Sequence, residues 1–302
     1  MSIVDLGLID YDSKTLLIDG DIIVYQPCCV FNEDLDIDRN QIKKVINNKI
    51  EKLMDLAGCD KYIMFVTTKT NFRDDLVDDY KLHRDLVDRP VNLAWAKRWS
   101  VNNLNTHYVP KLEADDLIGI YQKHDTIIWS LDKDLRQIPG MHLDDITGLL
   151  KEVSVEGLLR KKTKGIHFEG TIGLYYQMLV GDNTDYIVGC GKRVETTYKS
   201  GAKKGQKYIR RVGVGPMAAY KLLIQSKLDS VRLDIDPLDA ALEVVINEYK
   251  KLHGKSWQVH LETQANLLFM VREQNGNTIK RWTCDGRDEY FDLTKGVIIH
   301  GY

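Results

Sequence analysis

The feature that most constrains this fold is a set of short apolar runs without alternation, two of which stop at an aspartate. In "KTLLIDGDIIVYQ" the run 16–18 ends at Asp19-Gly20; "KYIMFVT" is a second run; "TIIWSL" is a third that stops at Asp132. A polar segment from about 39 to 56 separates the first two, with Ile42, Val45, Ile46, Ile50 and Leu53 at helical spacing. Strands apolar on both sides, separated by helices, predict a largely parallel sheet covered on both faces. Ligands bind such sheets beyond the carboxyl ends of the strands. Asp19 and Asp132 stand at two such ends.

Four acidic groups follow from this placement. Asp19 ends the first strand. Glu113, Asp115 and Asp116 open a helix in "KLEADDLIGIY", Asp132 and Asp134 lie in "SLDKDLRQI", and Asp182 and Asp185 lie in "GDNTD". On an extended piece Asp132 and Asp134 point the same way. On a helix Glu113 shares a face with Asp116, and Asp182 with Asp185. Eight such charges in one place raise each other's pKa and destabilise the fold unless cations relieve them. Carboxylates without histidine or thiol nearby favour Mg²⁺ or Mn²⁺. Two such ions about 4 Å apart can activate a water and stabilise the leaving oxygen of a phosphodiester. A single pair of these acids has a plain alternative as a helix cap or a solvated turn. All four groups together, two of them at strand ends, favour the metal.

Residues 69–111 are polar, of mixed charge, and contain Trp95 and Trp99. The segment is too long for a simple connection and predicts a helical excursion. After about 169 the character changes: "TIGLYYQMLVG" reads as a helix leading into "GDNTD". Residues 192–211 then carry eight basic residues and one acid, a local +7. In "VGVGPMAAYKLL", Gly213 and Gly215 flank Val214 in a tight turn before Pro216, which suits a first helical position. Backbone N–H groups there can hold a phosphate without reading sequence.

The ordered set "LLIDGD", "YKLHR", "KLEADDLIG", "SLDKDLRQIPG" and "LVGDNTD" resembles the bacteriophage and bacterial 5′-nucleases, nearest to the phage duplex 5′→3′ exonuclease type, from residue 16 to about 223. The resemblance implies a PIN-like 5′-nuclease domain over 1–168, with a helical arch at about 69–111. It implies a helical DNA-binding region over 169–302, with a helix–hairpin–helix at about 186–224. It puts Asp19, Glu113, Asp115 and Asp116 at or near a first metal, and Asp132, Asp134, Asp182 and Asp185 at a second. Lys81 and Arg84 of "YKLHR" match the family's basic pair in the arch, with Arg73 as a further candidate for that task and for DNA contact. Lys192, Arg193, Lys203, Lys204, Lys207, Arg210, Arg211, Gly213, Val214 and Gly215 are the expected DNA contacts. The implied cofactors are two Mg²⁺, with Mn²⁺ as substitute, and K⁺ at the helix–hairpin–helix. The implied activity is 5′→3′ exonucleolytic hydrolysis of duplex DNA, with flap cleavage and RNA-primer removal, in phage replication and recombination. An RNA-directed nuclease of the same fold and a DNA-binding protein that has lost catalysis are the alternatives. The chain departs from the family at Thr68, where an acid is usual, at Met217, where a lysine is common, and in "KSGAKKGQ", read as a flexible basic loop.

Composition bounds the rest. With 302 residues, 43% apolar and 28% charged, the chain can bury a sizeable core and is too apolar for disorder. No apolar run approaches the roughly 18 residues a bilayer span requires. "MSIVDLGLIDYDSK" lacks the pattern of a signal peptide, so the expected location is cytoplasmic, that of the host for a phage protein. Cys28, Cys29, Cys59, Cys190 and Cys284 form no C-x-x-C and suit a reducing compartment. The net charge of −2 becomes +6 once the eight metal candidates are set aside, which suits salt-sensitive binding along a nucleic-acid backbone.

Overall fold

The computed structural model describes residues 14–82 and 88–300. Strand β1 (Thr15–Asp19) passes directly into helix α1 (Gly20–Val30). This junction requires glycine, because a Cβ on Gly20 would meet the Phe65 carbonyl oxygen and Met64 Cγ at 2.6 Å. Helix α2 (Asp36–Ala57) buries Ile42, Ile46, Ile50 and Leu53 along one stripe and stops at Gly58, whose φ is 62°. Then come β2 (Lys61–Phe65), α3 (Leu93–Asn103), β3 (Thr106–His107), α4 (Ala114–Tyr121), β4 (Thr126–Trp129), β5 (Gly140–Asp144) and β6 (Leu149–Val153).

These six strands form one sheet in the order β3-β2-β1-β4-β5-β6, parallel throughout except for the β5–β6 pair. The chain builds outward from β1 through β2 and β3, then returns to the other side of β1 with β4. A crevice therefore opens at the carboxyl ends of β1 and β4. Side chains of β1 alternate between two cores. Leu16 and Ile18 join α1, α2 and α3, and Leu17 joins Phe65, Leu117 and Ile128 on the opposite face. This is the expected α/β arrangement.

The expected excursion over 69–111 is shorter than the sequence suggests. Ala96 of α3 is buried, with Trp95 and Trp99 packed against the same core as α1 and α2, and β3 extends the sheet. Residues from 93 onward therefore belong to the body of the domain.

A hairpin of β7 (Leu158–Lys161) and β8 (Ile166–Glu169) leads to α5 (Gly170–Val180). Strands β9 (Gly191–Thr197) and β10 (Lys207–Gly213) form a two-stranded antiparallel ribbon. Helices α6 (Pro216–Leu233), α7 (Pro237–His253) and α8 (Trp257–Leu268) pack with α5 around Leu179, Leu223, Val245, Tyr249 and Leu261. Proline occupies the start of both α6 and α7, and the Asp236 side chain accepts from Leu238 N at 2.7 Å to cap the latter.

The region after 169 is not helical to its end. Four antiparallel strands follow, β11 (Gln274–Asn275), β12 (Thr278–Lys280), β13 (Glu289–Asp292) and β14 (Val297–His300). They return to the first domain: Ile279, Phe291 and Leu293 share a core with Leu17 and Phe65, and the Phe72 and Phe291 rings lie 5.6 Å apart. Among the described residues no helix is long and apolar enough to cross a membrane.

Candidate metal centre

The crevice between β1 and β4 gathers most of the acids. Asp19, 3% exposed, accepts from Ser130 Oγ at 2.7 Å. Burial, with the charges of Asp21 and Asp132, raises its pKa to about 7. Asp115 projects from the first turn of α4, and burial and the charges of Asp19, Asp132 and Glu113 push its carboxyl well above the usual range. Asp132 is exposed; its N–H donates to Ser130 Oγ at 2.9 Å, and its Oδ1 accepts from Asp134 N at 2.8 Å. This turn, not an extended strand, sends Asp134 inward while Asp132 stays at the surface.

Asp134 accepts from Gln177 Nε2 of α5 at 2.8 Å, and burial followed by the Asp132 charge raises its pKa to about 8. Asp182 lies in the turn after α5, within 3.5 Å of Lys133 Nζ, and takes the Thr184 N–H at 2.6 Å. Burial opposes ionisation there, but Lys133 and the Asp134 hydrogen bond hold the Asp182 carboxyl below its ordinary value. Asp185 does not share a helix face with Asp182, because this segment is a turn closed by mutual backbone bonds between Asp182 and Ile187. Asp185 faces Lys81 instead, at 3.4 Å.

Glu113 and Asp116 have other partners. Glu113 receives Tyr80 Oη at 2.9 Å and Arg73 Nη1 at 3.3 Å, and pairs with Lys81. Although burial opposes ionisation, Lys81 and Arg73 hold its pKa down at about 2. Asp116 is fully buried. Both its oxygens engage Arg73, at 2.7 and 2.8 Å, and it also accepts from Glu113 N and Val271 N, each at 3.1 Å. Consecutive helical residues differ by about 100° in direction, so Asp115 faces the crevice and Asp116 the core.

Lys81 is held by Glu113 and Asp185 in a turn, with a left-handed backbone (φ 53°) and not on a helix. Arg84 lies outside the described residues. The expectation that Arg73 contacts DNA is corrected: it is 1% exposed, and its donors go to Asp116, Glu113 and the carbonyls of Leu267 and Phe269.

Several expected DNA contacts also have structural work. Arg193 pairs with Asp79 at 2.6 Å and stacks 3.3 Å above the Tyr186 ring. Arg211 donates to the carbonyls of Val188, Val214 and Leu179 at 2.6, 2.9 and 2.7 Å. Val214 gives its N–H to Cys190 O, so that amide is not open to a phosphate. Gly213 is there because a Cβ would meet the same Cys190 oxygen at 2.3 Å. Gly215 caps α6. Lys192, Lys203, Lys204, Lys207 and Arg210 are exposed. They lie on the ribbon or at its tip, where "KSGAKKGQ" forms the loop that joins β9 to β10.

Sequence reasoning missed Ser130, Lys133, Gln177, Tyr80 and Lys97. The only signal for the first two was their position in "SLDKD". Thr67, not Thr68, faces the crevice: its Oγ1 accepts from Ala114 N at 3.0 Å, while Thr68 turns to Thr70 O. Asp21 accepts from Thr67 N at 3.2 Å and pairs with Lys97 at 2.6 Å.

The donor set fits a hard divalent cation. Asp19, Asp115, Asp132, Asp134 and Asp182 offer only oxygen, and burial and mutual repulsion resist ionisation of Asp19, Asp115 and Asp134. Among the described residues, the only three ligand atoms within 4.8 Å of one another belong to Glu262, Cys284 and Asp285. Arg287 already bridges that group, at 2.5 Å from Glu262 and 2.8 Å from Asp285.

Residues 14–162 match the family model of the 5′-3′ exonuclease N-terminal, resolvase-like domain. No curated protein matches the chain. Among solved structures it is similar to a bacteriophage T5 protein co-crystallised with metal ions, at 13% identity over 84% of this chain and 98% of that one, with a TM-score of 0.45. It is also similar to a bacteriophage T5 flap endonuclease in a pseudo-enzyme–product complex with DNA and metal ions, at 12% identity over 84% and 98%, with a TM-score of 0.45. The family match spans the whole sheet and the acids from Asp19 to Asp134, so residues 14–162 form a 5′-3′ exonuclease N-terminal, resolvase-like domain.

Proposed function

We propose that this protein is a divalent-metal-dependent 5′→3′ exonuclease of duplex DNA, hydrolysing phosphodiesters to leave a 3′-hydroxyl and a 5′-phosphate. Flap cleavage and RNA-primer removal during phage replication and recombination belong to the same proposal. One observation carries it: oxygen-only carboxylates from β1, α4, the turn after β4 and the turn after α5 gather about the switch point of a parallel sheet, near enough to shift one another's ionisation, with the Lys81 charge among them.

Asp19, Asp115, Asp132, Asp134 and Asp182 would hold Mg²⁺ or Mn²⁺. Such ions supply the positive charge that phosphodiester hydrolysis requires. Ser130 fixes Asp19, and Gln177 fixes Asp134, so the ligands are oriented before substrate arrives. Lys81, steadied by Glu113 and Asp185, is placed to offset charge that builds on the phosphoryl oxygens. Asp116 anchors Arg73 and is not a ligand in this reading. The start of α6 behind Gly215, whose first amides have no helical acceptor, would grip the duplex backbone, and the K⁺ expected beside it belongs to the same proposal.

Loss of catalysis was the rival raised by a threonine at a usually acidic position. Asp21 weighs against it, since its charge raises the pKa of Asp19 and it lies against Thr67. A duplex labelled at either end, incubated with Mg²⁺ or EDTA, tests the proposal with wild type and Asp132→Ala. Mg²⁺-dependent release of the 5′ label as mononucleotide, absent in the variant, is expected. Binding without cleavage would sink it.

A further inference from the structure

We infer that one face of the β9–β10 ribbon is a stacking platform for unpaired bases, holding a single strand beside the metal centre. The inference rests on the nuclease reading and extends it to the form of nucleic acid the ribbon takes.

The register assigns each side chain to a face. Arg210 lies opposite Val194, Tyr208 opposite Thr196, and Val212 opposite Lys192. Directly paired residues, and those two positions along, share a face. Tyr198, two beyond Thr196, therefore joins Tyr208, Arg210 and Lys192. The opposite face carries Arg193 and Arg211, whose bonds to Asp79 and to backbone carbonyls tie the ribbon to the body. Only the root of that face is committed to anchoring; further out it carries exposed Glu195, Lys207 and Ile209, while the first face presents half-buried Tyr198 and Tyr208 between exposed cations.

The rings of Tyr198 and Tyr208 stack at 4.2 Å with 28° between their planes. Lys203 at the tip lies 5.8 Å from the Tyr198 ring, and Arg210 and Lys192 are exposed on the same face. The tip is ordered by backbone bonds between Tyr198 and Gln206 at 3.0 Å and between Gly205 and Tyr198 at 2.9 Å. Rigid aromatic faces flanked by cations suit single-stranded nucleic acid, whose bases expose a π-face and whose phosphates lie alongside. A duplex conceals those faces, so it would engage the cations alone. The ribbon's root points to where that strand comes from. Arg193 sits on Tyr186, next to Asp185, which contacts Lys81 at the acid cluster.

The test measures binding of a labelled single-stranded oligonucleotide and of a blunt duplex in EDTA, where no cleavage occurs. Tyr198→Leu combined with Tyr208→Leu keeps an apolar cross-strand contact but removes both rings. It is expected to lose about tenfold or more in single-strand affinity, with blunt-duplex affinity and melting temperature unchanged. Tyr198→Phe with Tyr208→Phe should bind single strands as wild type does. Equal losses on both DNAs, no loss on single strands, or failure of the phenylalanine pair would overturn the inference. A wild type that digests duplex DNA in Mg²⁺ yet ignores single strands would overturn it while leaving the nuclease reading intact.

Discussion

Arg73 and Asp116 meet as a two-pronged ion pair, at 2.7 and 2.8 Å, with neither side chain exposed to solvent. The same guanidinium holds the carbonyls of Leu267 and Phe269, so it fastens the end of α8 to the first turn of α4. Removing one partner strands a buried charge. Arg73→Met or Asp116→Asn should therefore lose about 3–5 kcal/mol of stability, read from denaturant melts. Were Asp116 a metal ligand and nothing more, Asp116→Asn would abolish cleavage at unchanged stability.

The crowded acids predict an unusual dependence of stability on pH. Asp19 and Asp134 have folded-state pKa values raised to about 7 and about 8, from 3.8. Groups raised on folding stabilise the protein while protonated, and that contribution is lost as pH rises through the folded value. In EDTA the melting temperature should fall between about pH 4 and pH 8. Mg²⁺ should restore it, and by more at pH 8 than at pH 5. A melting temperature that rises over this range in EDTA would show the acids to be relieved by the protein itself.

Lys81 ties the start of α4 to the turn after α5, bridging Glu113 and Asp185. Lys81→Met should lower kcat about a hundredfold or more, the scale of removing one preorganised charge from a reacting phosphoryl group. Binding of uncleaved duplex in EDTA should change little. A loss seen only in KM would assign Lys81 to binding.

Thr67 and Thr68 should behave oppositely. Thr67→Val leaves the buried Ala114 N–H without its acceptor and should cost about 1–3 kcal/mol. Thr68 binds only the nearby Thr70 carbonyl, so Thr68→Asp should leave the cleavage rate where it is. A large gain in rate from Thr68→Asp would revive the reading of a nuclease that has lost its chemistry.

The strand-end acids were legible because an uninterrupted apolar run has one interpretation and its last residue one place to go. Asp19 and Asp132 follow from that alone. What separates Asp115 from Asp116 was not legible, since the partner that decides it, Arg73, comes from 43 positions earlier and looked like a surface cation. The ribbon was hidden for a related reason. Its strands are charged on both faces, so no apolar alternation marks them, and only pairing reveals Arg193 and Arg211 as anchors. The final sheet was missed because β11 and β12 span two and three residues, too few to show a period.

That final sheet has a temporal consequence. Ribosomal synthesis delivers β1 first and Phe291 about 270 residues later, yet both line one core. At ordinary elongation rates of about 5–20 residues per second, the nascent chain spends many seconds with that side of its parallel sheet covered only in part, by α4 and its neighbours. The core that Leu17 and Phe65 share with Ile279, Phe291 and Leu293 is therefore completed only once residues 274–300 have left the ribosome.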